Sequence, residues 1–474
     1  MTDRRFATLL LLVTLLAFGL RLYRLGDPSL WSDEMFQVSD SLVVSNAGYL
    51  PTWLGMRLAG VDTGLLDPER MGEWRAAGLT PFDMRLGSAL LGALSVPLLA
   101  LACAPWLSRR TALVMALLLA ASTWHLEWSQ QARHYVPIFL YSNLALALYA
   151  LWLKDARGRW LWAALALAFL AVSSRATSLM IFGVIGLDIL FQSARERRIA
   201  LSPGAIGAIA LSGGACVVLL LMRSLGPGPG GIQEQAAFLA REEGQSPLRL
   251  VAGNALLSGV PLVVLAAAGF LAHLRENPRQ AWLLFFIVAV PLLAFGALAP
   301  FVHVELRYSF VNHFGWLALA AIGAVALYDA ARHTLPRAVA AAPLLMVLAS
   351  QAYGALVYYE SAYGNRPRWN HAFAYVGRHW KPGDALYAHS SWAGRYYLES
   401  DRVANVDLDF QGLDSLDRDT WFVVKSTGFE TGEGRPHWLD GKAELRAAYP
   451  TRVAYPQDTV RVYFYRHASG GDAG

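Results

Sequence analysis

The sequence predicts a polytopic α-helical membrane protein that ends in a small soluble α/β domain. Three observations carry this prediction. The 474 residues are 55% hydrophobic and only 16% charged, with a mean hydropathy of +0.36, whereas soluble domains run near a quarter charged. About eleven apolar runs, several of them short, approach the roughly 20 residues that a membrane-spanning helix needs. Beyond about residue 360, charge returns and the apolar residues fall into short runs. This composition excludes a cytosolic enzyme, a disordered scaffold and a secreted disulfide module.

Lipid offers backbone N–H and C=O groups no partner, so each crossing segment is expected to be helical. The runs cover approximately 6–22, 84–106, 111–124, 135–153, 160–172, 177–191, 204–222, 254–273, 281–302, 308–328 and 338–358. Between them the basic residues mark a single face: Arg4 and Arg5, Arg109 and Arg110, Lys154 with Arg157 and Arg159, Arg195 with Arg197 and Arg198, Arg275 and Arg279, and Arg332 and Arg337. The positive-inside rule makes that face cytoplasmic. With the amino terminus inside and an odd number of spans, the loop 23–83 and the tail both lie outside. The first run continues into Arg21, Leu22, Tyr23 and Arg24 with no small-residue cleavage site, so it reads as a retained anchor. The expected division is a membrane domain at 1–359, carrying the outer loop 23–83, and an extracytoplasmic domain at 360–474 in a plasma (inner) membrane protein.

In the tail, alternating patterns predict helices at 370–379, 392–398 and 439–448, and strands at 385–389, 421–425, 452–455 and 460–465. Its tryptophans (Trp369, Trp380, Trp392, Trp421 and Trp438) read as core, with sugar stacking as the alternative. The GPGPGG stretch at 226–231 is loop punctuation, because no strand leads into it. Cys103 and Cys216 sit in apolar runs and have no ligand spacing, so no chemistry is assigned to them. The net charge of +5 comes mostly from basic residues at topology positions, which argues against a nucleic-acid partner.

Charged residues beside spans on the outer face work against the positive-inside bias and need another reason. The first outer loop holds Trp31, Ser32, Asp33 and Glu34. This segment reads either as a helix start, with Ser32 or Asp33 as N-cap, or as a carboxylate poised as a general base or metal ligand. A second outer hairpin packs Glu127, Ser129, Gln130, Gln131, Arg133, His134 and Tyr135 between two spans. Arg175 follows Ser173 and Ser174 at the outer end of another span, and His303, Glu305, Arg307 and Tyr308 fill a late outer turn. Three outer hairpins thus each supply an arginine, whose planar fork suits phosphate oxygens. The histidines lack metal-ligand spacing, so no metal residues are assigned, although a divalent ion is compatible with the acids.

These residues resemble the polyprenyl-phosphate-sugar-dependent glycosyltransferases of the GT-C membrane fold, glycosyltransferase family 39. The branch is that of protein O-mannosyltransferases and the lipid A aminoarabinose transferase. The marks are WSDE at 31–34 after the first span, Arg85 leading RLGSALLGALSVPLL, SQQARHY at 129–135 against the family's SQEARxY, and the pair Arg307–Tyr308. Gln131 stands where the family has Glu, and the family's His-Pro-Pro segment is replaced by LPTWLGM and LLDPERM within 49–80. The resemblance implies a GT-C fold and a sugar moved from a polyprenyl-phosphate donor to an extracytoplasmic protein, lipid or glycan, by inverting displacement. It implies Asp33 as catalytic base with Glu34 beside it, and Arg133 and Arg307 on the donor phosphate with Tyr135 and Tyr308 supporting them. Topology adds Arg175 to the phosphate site. Ser129, Gln130, Gln131, His134, Glu127, His303 and Glu305 complete the expected surroundings.

Two other readings compete. A transporter or flippase of a lipid-linked solute fits many spans and intramembrane arginines, but the sequence shows no internal repeat and its polar groups gather at one face. A non-catalytic sensor or assembly protein fits the Gln131 departure.

Overall fold

The computed structural model of the chain describes residues 1–44, 46–225, 245–302, 304–426, 439, 441–451 and 459–467. Eight of its helices are long and apolar enough to cross a membrane, two bent pairs raise the number to ten, and Gly158–Ser174 is a shorter apolar helix. These elements account for all the apolar runs. The GPGPGG loop lies outside the described residues.

After α1 (Asp3–Leu22), the first loop is built from α2 (Ser32–Leu42), α3 (Leu50–Leu58) and the single turn α4 (Met71–Trp74). α5 (Pro81–Cys103) begins with Pro81 in its first turn, and Thr80 and Asp83 form a capping box that satisfies two otherwise orphaned amides. A short hairpin then joins α6 (Arg109–Ala121), α7 (Thr123–Ser129) and α8 (Tyr135–Asp155). Next come α9 (Gly158–Ser174), α10 (Met180–Glu196) and α11 (Pro203–Leu225), then α12 (Pro247–Ser258), α13 (Val260–Glu276), α14 (Pro278–Leu298) and α15 (His313–Ala331). The turn α16 (Arg337–Ala340) and α17 (Ala342–Leu356) close the membrane part.

The α6–α7 pair bends by 60° and the α12–α13 pair by 96°. The sharper bend turns on Gly259, whose φ of +94° side chains rarely tolerate. A bend inside lipid frees backbone groups that need new partners. One glutamine serves both bends: Gln351 of α17 accepts from the Thr123 amide at 2.9 Å and donates to the Ser258 carbonyl at 3.2 Å. His313 works beside it, with Nε2 2.7 Å from Ser122 Oγ and Nδ1 3.3 Å from Ser258 Oγ.

The first loop grips the membrane part through a close backbone contact. A Cβ on Gly87 of α5 would stand 1.7 Å from the Pro51 carbonyl oxygen of α3, and one on Gly55 would stand 2.2 Å from the Gly87 amide nitrogen. Only glycine at both positions lets α3 lie this close to α5.

The tail forms a sheet of β1 (Ala385–Ala388), β2 (Ala404–Asn405), β3 (Thr420–Ser426), β4 (Glu444–Pro450) and β5 (Thr459–Tyr465), in the order β2-β1-β3-β5-β4. β1 pairs parallel with β2 and β3, and β5 lies antiparallel between β3 and β4. α18 (Trp369–His379) and α19 (Ser391–Leu398) pack on the sheet, while α20 (Val406–Asp409) is one turn. Trp369 and Trp421 are core residues here. The helix expected at 439–448 is instead the strand β4: its alternation of apolar and polar residues meets a partner in β5, and pairing overrides local helix propensity. The strand expected at 452–455 lies outside the described residues.

The tail and the first loop meet on one face of the bundle. Leu30 N donates to Tyr397 Oη at 2.8 Å, Tyr396 Oη donates to the Leu79 carbonyl at 2.8 Å, and Arg24 pairs with Glu360 at 3.0 Å. At the other end of the helices, Arg110 grips both oxygens of Asp329 at 2.7 and 2.8 Å.

Candidate active site

The site is assembled where the first loop, the α7–α8 hairpin and the turn before α15 converge. The segment leading into α2 is shaped by Arg85. Its guanidinium donates to the carbonyls of Leu25, Pro28 and Ser29 at 2.9 to 3.1 Å and forks onto Glu34 with two contacts of 2.8 Å. Glu34 is fully buried and also accepts from the Ala132 amide at 2.9 Å. Burial by itself raises the Glu34 carboxyl, but the Arg85 guanidinium outweighs it and holds the group below the usual carboxylate range. Glu34 therefore does not share an opening with Asp33. A helix advances about 100° per residue, so adjacent acids at the start of α2 face different neighbours.

Neither Ser32 nor Asp33 caps α2; the N-cap is Trp31, without a side-chain cap bond. The Asp33 carboxylate instead lies 3.1 Å from Arg133 Nη2 and 3.4 Å from Arg307 Nη1, through the same Oδ2. Arg133 Nη1 also donates to the Asp33 carbonyl at 2.6 Å. Because Glu34 holds the Ala132 amide, the next residue of the hairpin, Arg133, is delivered to Asp33. Asp33 keeps 31% of its side chain exposed, against 11% for Arg133 and 17% for Arg307, so the carboxylate is the most open of the three groups.

Aromatic rings organise the cations. The Arg133 and Arg175 guanidinium carbons each stand 5.7 Å from the Tyr135 ring, and Arg175 and Arg307 stand 4.9 and 5.9 Å from Tyr308. Trp31 underlies Arg133, Arg307 and Arg366 at 5.7, 5.5 and 4.2 Å. Attraction to the ring faces offsets part of the repulsion among the gathered cations. Arg175 also contacts His134 Nε2, whose Nδ1 lies 3.1 Å from Gln37 Oε1. Burial, reinforced by Arg175, Arg133 and Arg307, pushes the His134 imidazole well below its ordinary range, so it stands neutral among the arginines.

Other expected members have different places. Ser129 bonds His125, and Gln130 donates to the Arg21 and Tyr23 carbonyls at 3.0 and 2.8 Å, tying down the end of α1. Gln131 is buried with both amide atoms unpartnered. Glu127 is beside Asn365 and Arg366. Glu305 pairs with Arg307 at 2.6 Å, and His303 lies outside the described residues. Sequence reasoning missed Arg366 and the packing role of Trp31. Trp31 was visible within the WSDE motif, whereas Arg366 sits in the tail with no motif around it.

Buried donors at the site lack protein partners: Trp31 Nε1, Arg133 Nε, Tyr135 Oη, Arg307 Nε, and Arg366 Nε and Nη2. Unpaired buried donors are costly, and a ring of them around arginines fits an anion with several acceptor oxygens. Among the described residues no group of three His, Cys, Asp or Glu is placed to hold a metal ion.

Residues 50–219 match the family model of dolichyl-phosphate-mannose-protein mannosyltransferase. Among curated proteins none matches the chain. Among solved structures, ArnT from Cupriavidus metallidurans in the apo state superposes with a TM-score of 0.57 at 14% identity, covering 98% of each chain. The same protein bound to undecaprenyl phosphate gives 0.56 at 15% identity over 99% of each. The Archaeoglobus fulgidus oligosaccharyltransferase gives 0.51 at 11% identity, covering 87% of this chain and 66% of that one. Residues 50–219 thus carry the match to the protein mannosyltransferase family model, and the chain as a whole has an ArnT-like GT-C fold.

Proposed function

We propose that the protein is a membrane glycosyltransferase that takes its sugar from a polyprenyl phosphate at the extracytoplasmic face, with Asp33 as its general base. Arg133 and Arg307, with Arg175, bind the donor phosphate. The observation that carries the reading is the single Asp33 oxygen shared by Arg133 and Arg307. The Asp33 carboxylate and a donor phosphate compete for the same guanidinium groups, so donor binding releases Asp33 toward the acceptor. Asp33 then removes the proton of an acceptor hydroxyl or amine as it attacks the anomeric carbon. The bond to the phosphate oxygen breaks, and polyprenyl phosphate leaves with the electron pair. A single displacement inverts the anomeric centre.

The arginines stabilise charge that grows on the leaving phosphate, an effect typically worth about 3 kcal/mol per well-placed donor. Glu34 is a positioning residue: it does not touch substrate, but it fixes the Ala132 amide and hence Arg133. The acceptor is a protein, lipid or glycan outside the cytoplasm, reached through the exposed side of Asp33 between the first loop and the tail. The membrane orientation rests on the positive-inside pattern, supported by the contacts of first loop and tail on the site's own face.

The test is release of polyprenyl phosphate by purified protein in lipid, from a panel of polyprenyl-phosphate sugars with envelope acceptors. Asp33→Asn is expected to lower acceptor-dependent release by about 10²- to 10⁴-fold. Full activity in a folded Asp33→Asn variant would remove the base assignment.

A further inference from the structure

A second polar site lies at the far end of the bundle. α8 has 21 residues, so its two ends are about 30 Å apart at 1.5 Å per residue. The arginine cluster is at its start. At its other end, the last turns of α8 and α10 and the α13–α14 turn enclose a cavity of about 700 Å³. Three spanning helices, Tyr135–Asp155, Ala176–Glu196 and Pro278–Leu298, terminate here, which is the depth at which lipid headgroups lie.

The lining joins apolar side chains, among them Leu153 and Leu283, to polar ones, among them Lys154, Arg195, Arg279 and Gln192. Gln192 is only 2% exposed, yet its Nε2 has no partner. Arg279 is held from behind: its Nη2 lies 3.2 Å from Asp188, a fully buried carboxylate that also accepts from Tyr149 Oη at 2.8 Å. Its Nε is unpartnered. α14 starts at this cavity without a side-chain cap. Two acids also line the space; Glu196 is engaged by Arg198 at 3.1 Å, and Glu276 stands beside the α14 start.

We propose that this cavity binds the phosphodiester headgroup of an anionic membrane lipid. Lys154, Arg195 and Arg279 meet the phosphate, Gln192 Nε2 donates from the floor, and Leu153 and Leu283 receive the first carbons of the acyl chains. Lipid rather than a soluble phosphate is the occupant because apolar side chains stand beside the cations in the lining and the cavity sits where spans end. The bound lipid ties α8, α10 and α14 together on the face opposite the transferase site.

The experiment uses the full-length protein, delipidated in detergent and titrated with phosphatidylglycerol, phosphatidylcholine or glycerol phosphate. Lipid retention is followed by native mass spectrometry and by the melting temperature. Expected are retention of phosphatidylglycerol over phosphatidylcholine, at least tenfold weaker retention in Lys154→Gln/Arg195→Gln, weaker retention in Gln192→Leu, and unchanged retention in Asp33→Asn. Arg279 is left intact because its loss would strand Asp188. Equal retention by wild type and both variants would overturn the proposal. So would displacement by glycerol phosphate at concentrations matching the lipid, which would make this a soluble-phosphate site. Should the double variant fail to fold, Gln192→Leu alone decides the outcome.

Discussion

Glu34 and Arg85 form a fully buried, two-pronged ion pair, with both N···O contacts at 2.8 Å, directly behind the carboxylate that faces the arginine cluster. The pair has a mechanical role. Arg85 gathers the carbonyls of the segment before α2, and Glu34 anchors the amide of Ala132. Breaking one partner leaves an uncompensated buried charge, which costs about 3–5 kcal/mol. Glu34→Ala is therefore expected to lower the thermal stability of the detergent-solubilised protein by that amount. Glu34→Leu/Arg85→Met is expected to lose less than the two single changes added together. Additive losses in the melting curves would show that the two side chains act independently.

Arg133→Lys and Arg307→Lys keep a charge near Asp33 but remove the planar fork. An ammonium cannot span two phosphate oxygens in the fixed geometry of a guanidinium. Each change is expected to reduce turnover at saturating donor by at least tenfold while leaving the melting temperature within a few degrees. Turnover assays beside thermal melts separate this from a folding defect.

The neutral His134 among Arg133, Arg175 and Arg307 predicts an acid sensitivity. Its folded pKa is depressed below the ordinary 6.5, so the unfolded chain takes up the proton first. The stability of the neutral ring is fully present above pH 6.5 and is lost as pH falls below it. His134→Gln removes the titration while keeping polar atoms between Gln37 and Arg175. Melting curves at pH 7.5 and 5.5 should show a smaller loss in the variant than in wild type; equal losses would assign the sensitivity elsewhere.

Gln351→Leu strands the Thr123 amide and the Ser258 carbonyl, one at each bent span. An unsatisfied buried backbone group costs about 1–3 kcal/mol. A lowered melting temperature is expected, with a larger effect than Gln351→Glu, which retains the acceptor for Thr123. Hydrogen exchange at both bends should rise together; a rise at only one would mean that the glutamine does not couple them.

Much of this molecule was legible in the sequence, and the reason differs by level. The spans were readable because lipid demands long uninterrupted apolar segments, a constraint local enough to survive in composition. Asp33, Arg133 and Arg307, which the structure brings together, stood out in the sequence because charge beside an apolar span needs a reason of its own. Other features depend on partners distant in the chain. The β4 strand is fixed by pairing with β5, and the two bends depend on Gln351 and His313, more than a hundred residues from Thr123 and Ser122. Sequence adjacency placed Glu34 with Asp33, but helical rotation and the Arg85 guanidinium separated them. Arg366 lies on Trp31 across 335 positions of chain, a contact that no local pattern encodes. Composition and charge, as properties of each segment, already specify a membrane protein whose polar groups gather at one end of the spans. Which carboxylate meets the arginines is a matter of contacts between distant segments, and it is settled in the folded chain.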